Sequence, residues 1–423
     1  MIEGQATFRP AIVSEDDSRF FGEQMKICML AYAHYLNDAR IKCYVRTLED
    51  NGHRVDVVAL RSDGESAIDQ LSTGTIHRIM DKYQGESKLA YAWSYLRFCL
   101  KSLAFLARRS FRDRYDVIHV HNMPNALVFA AVVPKVFGAR LLLDVHDLMT
   151  VNYMAKFHVG EQNTRVRVLR LEQRVSAMFA NHVICADDNQ RDYLVEQCGV
   201  AEKKVTVLMN LPNAELFGPT PIRKQNRGGA FRIVYHGTIA QRLGIDLILR
   251  ALARIADRIP AELWMYGSGD FLPDALALSA ELGLEQKVHF SKSFFAVERI
   301  PEIVAGMDMG IIGNRRNMAC DKYMLPVKLL EYVYLGVPVV APRLEVIGRY
   351  FDDGMLRFYE PENVAQMAEA IEELFRDADR RERFARTALS FYQTHNIKAQ
   401  ADRYLGLLSE PGIALYAVPE QHA

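Results

Sequence analysis

Apolar positions recur along the chain in two patterns. Short continuous runs rich in β-branched residues read as strands buried on both faces: Lys26–Ala31, Arg54–Leu60, Asp116–His121, Arg140–His146, His182–Ala186 and Val205–Met209. Between most of them apolar residues fall at helical spacing. One such stretch runs from Asp38 to Asn51 and stops at Gly52, a residue suited to the left-handed turn after a helix. This alternation predicts a doubly wound α/β domain. The pattern breaks at Leu211–Ala230, where three prolines, three glycines and a basic polar cluster read as an interdomain linker. It then restarts, with strands expected at Phe231–His236, Glu262–Tyr266, Val288–Ser291, Asp308–Ile312, Val337–Ala341 and Leu356–Tyr359. Two Rossmann-like halves, 25–210 and 231–385, are therefore expected to face a cleft, with ligands outside the carboxyl ends of the strands. A helical stretch over 377–408 is a candidate to cross back and brace the first half, so that 386–423 form a C-terminal helix and tail.

Bulk properties narrow the class. The 423 residues carry 52 basic and 52 acidic side chains, a balance that argues against a nucleic-acid binder held by phosphate attraction. Residues 1–24 form a polar leader without the apolar segment of a signal peptide. No stretch of about 18 residues is free of charge, as a bilayer span would require. The six cysteines form no C-x-x-C pair, which fits a reducing, cytoplasmic setting without a zinc site or disulfide framework.

Three segments carry candidate chemistry. From Val234 to Asp246 a strand ends at Gly237 and a helix starts near Gly244, so backbone and helix N–H groups can approach a phosphate, with Arg242 as an added charge. From Trp264 to Asp270 a strand runs into G-x-G, Gly267 and Gly269; an ordinary tight turn is the competing reading. From Leu325 to Ala341, Lys328 and Glu331 stand three apart at a helix start, ahead of Gly336-Val-Pro338. A carboxylate there can accept two ribose hydroxyls and a lysine can meet a phosphate; a surface ion pair is the bland alternative.

These segments resemble the retaining glycosyltransferases of family 4, from about residue 25 to 410. The resemblance implies a GT-B fold and a nucleotide diphosphate sugar as co-substrate, with no further cofactor and no metal. It places Glu331 on the donor ribose. With it come Gly237, Thr238, Arg242, Gly267, Gly269, Asp321, Lys328 and Leu329 as donor-binding residues. His146, Lys328 and Arg242 are the expected catalytic residues, with His146 near the donor sugar. In the first half, Asp116–Asn122 and Leu143–Asp147 resemble the strand ends lining the acceptor side, which nominates His121, Asn122 and Asp147. Two positions depart from the family pattern. Tyr323 stands where the first glutamate of E-x7-E is usual, with Asp321 as a nearby substitute. Thr238 and Leu243 replace the basic pair of the first loop, leaving Arg242, Lys328, Arg315 or Arg316 for the diphosphate. A sugar-nucleotide 2-epimerase or a non-catalytic nucleotide-sugar-binding homologue are the competing functions.

Among the histidines, His119 and His121 are expected on opposite faces of their strand, with His121 toward the cleft. His146 with Asp147 lacks an evident third ligand, and the D-x-D at Asp377 and Asp379 lies in a charged helix, so no metal site is expected. Finally, Lys88–Arg114 is apolar, aromatic and strongly basic, with one acidic residue. One reading lays it on an anionic membrane with Tyr91, Trp93, Tyr95 and Phe98 at headgroup level. The other makes it a core-facing helix with outward cations. Arg165, Arg167, Arg170 and Arg174 supply a second basic helical face. The acceptor is a hydroxyl, lipid-linked in the leading reading, which suits bacterial cell-surface glycan or glycolipid assembly at the inner membrane face.

Overall fold

A computed structural model describes residues 24–409 other than 84, 86, 213–216, 219–228 and 294. Residues 1–23 of the expected leader, most of the linker and the tail 410–423 lie outside the described residues.

The first sheet contains β1 (Lys26–His34), β2 (Arg54–Arg61), β3 (Ile68–Gln70), β4 (Thr75–Asp81), β5 (Val117–His121), β6 (Arg140–Val145), β7 (His182–Cys185) and β8 (Val205–Val207). Their order is β3-β4-β2-β1-β5-β6-β7-β8, parallel throughout except where β3 meets β4. The second sheet, β9 (Phe231–His236), β10 (Ala261–Tyr266), β11 (Val288–Phe290), β12 (Met309–Ile311), β13 (Val339–Pro342) and β14 (Arg357–Tyr359), is ordered β11-β10-β9-β12-β13-β14 and is parallel. Chain order reverses beside β1 in one sheet and beside β9 in the other. Their carboxyl ends are thus the crevices where α/β sheets bind ligands.

The six apolar runs expected in the first half are strands, but the hairpin of β3 and β4 is additional. β4 alternates buried and half-exposed positions and ends exposed. A pattern search tuned to continuous apolar runs passes over such an edge strand. The first helix, Ala39–Asp50, is capped by the Asp38 carboxylate, which accepts from the Ile41 amide at 3.0 Å. Gly52 follows with φ 77°, a turn that a side chain would strain.

The expected crossing back is made by the helix Ile397–Ser409. Tyr404, Leu407 and Leu408 pack into the first domain's core beside Ile27, Met29 and Tyr44. Each side chain of this kind contributes roughly 1.5–3 kcal/mol on burial, before the entropy of ordering the helix. Gln400 adds polar contacts, accepting from the Met209 amide at 2.6 Å and donating to its carbonyl at 3.3 Å.

Candidate active site

At the carboxyl end of β9 the chain turns through Gly237, whose φ is 105°. A Cβ there would come 3.4 Å from Lys328 Nζ, so glycine leaves room for the lysine. Gly267 and Gly269, after β10, lie under this turn: a Cβ on either would fall within 2.2 Å of the Gly237 or Ile239 carbonyl oxygen. The Gly237 amide donates to the Tyr266 carbonyl at 2.8 Å and the Ile239 amide to the Ser268 carbonyl at 2.9 Å. The G-x-G sequence is thus accounted for by one loop's backbone packing on another, which fixes the shape of the Gly237 turn.

Lys328 and Glu331 come to this turn from the helix Val327–Tyr334. They do not pair as a surface ion pair. Glu331 is buried and places Oε2 3.1 Å from His236 Nε2 at the end of β9. Lys328 Nζ sits 3.7 Å from the centre of the Tyr235 ring. Among the described residues this shielded nitrogen has no hydrogen-bond partner. Burial lowers its pKa to about 7, opposed by Glu331 and assisted by Arg242. An orphaned cation beside a glycine turn suits an anionic group. His236 was not expected at the site; its position one residue before Gly237, at a strand's carboxyl end, was the available signal.

The other expected donor residues separate on geometry. Arg242 is exposed on the Gln241–Leu243 turn, with Nη1 3.6 Å from Met324 Sδ and no acidic partner among the described residues. Thr238 is exposed beside Gly237, its carbonyl accepting from the Tyr235 hydroxyl at 2.6 Å. Arg315 is bonded to Asp246 at 2.5 Å, and Arg316 donates to the Arg343 carbonyl at 3.1 Å and lies 3.7 Å from Asp321. Asp321 Oδ1 accepts from the Glu345 amide at 3.0 Å, capping the helix Glu345–Gly348. Leu329 is a core residue: its side chain is fully buried and its amide donates to the Pro326 carbonyl at 3.0 Å, leaving no side-chain surface for the cleft.

Across the cleft a polar cluster surrounds Asp144, a residue buried in the apolar strand β6. Arg40, from the first helix, grips it with Nε to Oδ2 at 2.8 Å and Nη2 to Oδ1 at 2.7 Å. Arg40 Nη1 also donates to the Leu208 carbonyl and to Asn210 Oδ1, at 2.9 and 2.6 Å. His146 Nε2 lies 3.2 Å and His121 Nδ1 3.4 Å from Asp144 Oδ2, and the two nitrogens are 3.1 Å apart. Burial pushes the Asp144 carboxyl up, but Arg40 and then the histidines outweigh it and hold it well below the usual range. His119 and His121 are both buried on one side of β5, with ring centres 4.3 Å apart, contrary to the opposite faces expected. Residues two apart on a strand share a face. His119 Nδ1 meets the Tyr404 hydroxyl of the crossing helix at 2.9 Å. Neither Arg40 nor Asp144 was expected at the site; a charged residue inside the apolar β6 run was the sign of a buried partner.

His119, His121 and Asp144 bring one ligand atom each within 4.8 Å of one another, a grouping separate from the His146 and Asp147 considered from the sequence. Arg40 already meets both oxygens of that carboxylate. Asn122 ties the loops after β5 and β6 together, accepting from the His146 amide at 2.8 Å and donating to the Asp147 carbonyl at 2.7 Å. The Asp147 side chain is half-buried.

The two sides are joined beside this cluster. Gln190 Nε2 donates to the His146 carbonyl at 3.2 Å and the Tyr323 carbonyl at 3.0 Å. The Tyr323 ring meets Tyr193 edge-on at 5.4 Å. Arg349 reaches Asp192 at 2.7 Å, and the Tyr350 hydroxyl donates to Asp188 Oδ2 at 2.8 Å. Tyr323 therefore packs against the other domain.

Comparison with known proteins agrees with this architecture. Residues 41–214 match the family model "Glycosyltransferase Family 4" and residues 230–377 match "Glycosyl transferases group 1". Sucrose-phosphate synthase from Thermosynechococcus elongatus superposes with a TM-score of 0.73 at 15% identity, covering 91% of this chain and 98% of that one. The Anabaena HepE structure in complex with UDP-glucose gives 0.68 at 15% identity, covering 91% and 100%. These likenesses define the fold as GT-B. By sequence, the alpha-D-kanosaminyltransferase of Streptomyces kanamyceticus is 22% identical over 329 residues, 74% of this chain and 82% of that protein. A chitobiosyldiphosphodolichol beta-mannosyltransferase of Candida albicans is 21% identical over 283 residues, 62% of this chain and 61% of its own length. The chain thus spans less than two thirds of that relative. With one glycosyltransferase model on each sheet, the protein is a member of the GT-B glycosyltransferases.

Proposed function

We propose that the protein transfers a sugar from a nucleoside diphosphate donor to a hydroxyl acceptor, with retention of anomeric configuration. The observation that carries this reading is the convergence of the orphaned Lys328 ammonium and the His236–Glu331 pair on the Gly237 turn. In this reading Glu331 accepts the ribose hydroxyls. Lys328, Arg242 and the loop amides hold the diphosphate, so the leaving charge is met by the protein's own cations. The bond from the anomeric carbon to the diphosphate oxygen breaks, and the acceptor oxygen bonds to that carbon on the same face. The acceptor proton passes to the departing phosphate oxygen. His146, held by Asp144, contacts the donor sugar, with His121, Asn122 and Asp147 toward the acceptor. Domain 231–385 then binds the donor and 25–210 the acceptor, and closure excludes water.

The names of similar proteins support a lipid-linked or glycan acceptor: a chitobiosyldiphosphodolichol mannosyltransferase by sequence and a lipopolysaccharide outer core galactosyltransferase by fold. We place the reaction at the cytoplasmic membrane face. These names include a beta- and an alpha-transferase, so retention rests on the family resemblance. A thermal-shift screen of UDP, GDP and ADP sugars selects the donor, since ligand binding raises apparent stability. Product NMR with acceptors then decides: a new glycoside formed only with acceptor supports transfer. Interconversion of two donors without acceptor, or donor binding with no turnover, overturns it in favour of an epimerase or a non-catalytic homologue.

A further inference from the structure

The helix Lys88–Ser110 realises both readings of its sequence at once. Phe98 and Leu106 are buried in the first domain's core, and Tyr95 turns inward against Tyr32 at 4.4 Å, so two of the four aromatics expected at headgroup level are not outward. Its other side leaves Leu89, Trp93, Leu96 and Leu100 exposed at helical spacing, beside Arg97, Lys101 and Arg108. The helix Thr164–Phe179 repeats the design. Val166, Gln173 and Ala177 face the core, while Val168, Leu171, Val175 and Met178 form an outward stripe, 60%, 60%, 44% and 60% exposed. Arg165, Arg167 and Arg174 are exposed along it. Both helices cover the same face of the first sheet, packed on either side of Asn125–Val136, which adds exposed Val132 and Val136.

We propose that this outer helical layer is a docking face for an anionic lipid bilayer. Exposed apolar side chains gathered in stripes on neighbouring helices, rather than scattered singly, mark an interaction face. The charges say what covers it. Lys88–Ser110 contains no acidic residue, and Thr164–Phe179 has one, Glu172, turned inward to accept from Asn125 at 3.0 Å. A second copy of the chain seated on this face would set cation against cation. A nucleic acid would leave the aliphatic stripe in water. A bilayer accepts both: the apolar side chains enter the acyl boundary and the arginines meet lipid phosphates. The site also explains why composition alone was ambiguous, since each helix serves core and surface with opposite sides. Docking stands apart from the transfer reading, because it needs no donor.

The test uses the full chain and vesicles of phosphatidylcholine with or without about 30% phosphatidylglycerol. Co-sedimentation is expected with the anionic vesicles, decreasing with salt, and not with the neutral ones. In a Trp264→Phe background, Trp93 emission should shift to shorter wavelength on binding. The triple variant Arg165→Gln, Arg167→Gln, Arg174→Gln should lower partitioning about 100-fold. Leu171→Glu with Val175→Glu should abolish it, with thermal unfolding unchanged because both positions are exposed. Absence of binding to anionic vesicles at low salt, or wild-type binding by both variants, overturns the proposal. Self-association without vesicle binding, lost in the glutamate variant, assigns the face to a second copy instead.

Discussion

In the first domain the buried Asp144 carboxylate is met by both arms of Arg40, whereas in the second the buried Lys328 ammonium lies over a tyrosine ring with no hydrogen-bond partner among the described residues. Both charges sit at the carboxyl ends of parallel strands, Asp144 in β6 and Lys328 beside the end of β9. The first is held by the fold itself: Arg40 also bonds Leu208 and Asn210, so the carboxylate, the segment just before the linker and His146 form one rigid unit. The second is carried at a cost to the folded chain, a cost that the anion of the proposed donor would offset. In the proposed function, the difference separates a scaffold that positions a side chain from a site that binds.

The largest expected effect of breaking this contrast falls on the first side. Asp144→Ala leaves Arg40 buried and unpaired and should destabilise the protein by about 3–5 kcal/mol, read from denaturant unfolding. A loss below about 1 kcal/mol would mean that Arg40 escapes to solvent and the cluster is not rigid. His146→Ala should reduce transfer on the order of 100-fold while unfolding and donor affinity stay near wild type; wild-type turnover would remove the histidine from the mechanism. Glu331→Ala should weaken donor binding about 10- to 100-fold by calorimetry, through the loss of charged hydrogen bonds. Unchanged affinity there would move the ribose elsewhere.

The smallest and most discriminating effect concerns Lys328. With its pKa lowered to about 7, the folded chain binds fewer protons than the unfolded chain between about pH 7 and the ordinary lysine value near 10.4. Stability should therefore rise with pH across that window, and Lys328→Met should raise the unfolding temperature at pH 6 and flatten the rise. A bound diphosphate favours the ammonium, so donor affinity should be greatest below about pH 7 and fall above it, with proton uptake visible in calorimetry. Lys328→Met should remove that pH dependence along with about tenfold in affinity. A variant that loses stability at pH 6 would contradict the strained-cation view.

The outcome along the chain follows from what a local pattern can carry. Continuous apolar runs marked the strands of both sheets, because burial on both faces demands them. The edge hairpin of β3 and β4 was missed because its alternation is that of a strand with one wet side. Glycine positions were read correctly as points of close approach, but not what approaches: Gly267 and Gly269 meet a neighbouring loop's backbone. Asp321 and Leu329 looked like site residues by position, yet one caps a helix and the other fills the core. Tyr323, which the resemblance had marked as a departure, packs against the opposite domain.

By itself, then, the sequence determined the two α/β halves, the crossing helix and the turn at which Lys328 and Glu331 gather, since each depends on periodicity and on residue types a few positions apart. Only the tertiary structure decided the pairings: Arg40 with Asp144, His236 with Glu331, His119 with Tyr404, and which sides of two basic helices remain outside. The physical reason is range. Strand and helix propensities act over neighbouring residues, whereas a buried polar group is satisfied by whatever the fold brings to it, here from as far as 285 positions along the chain.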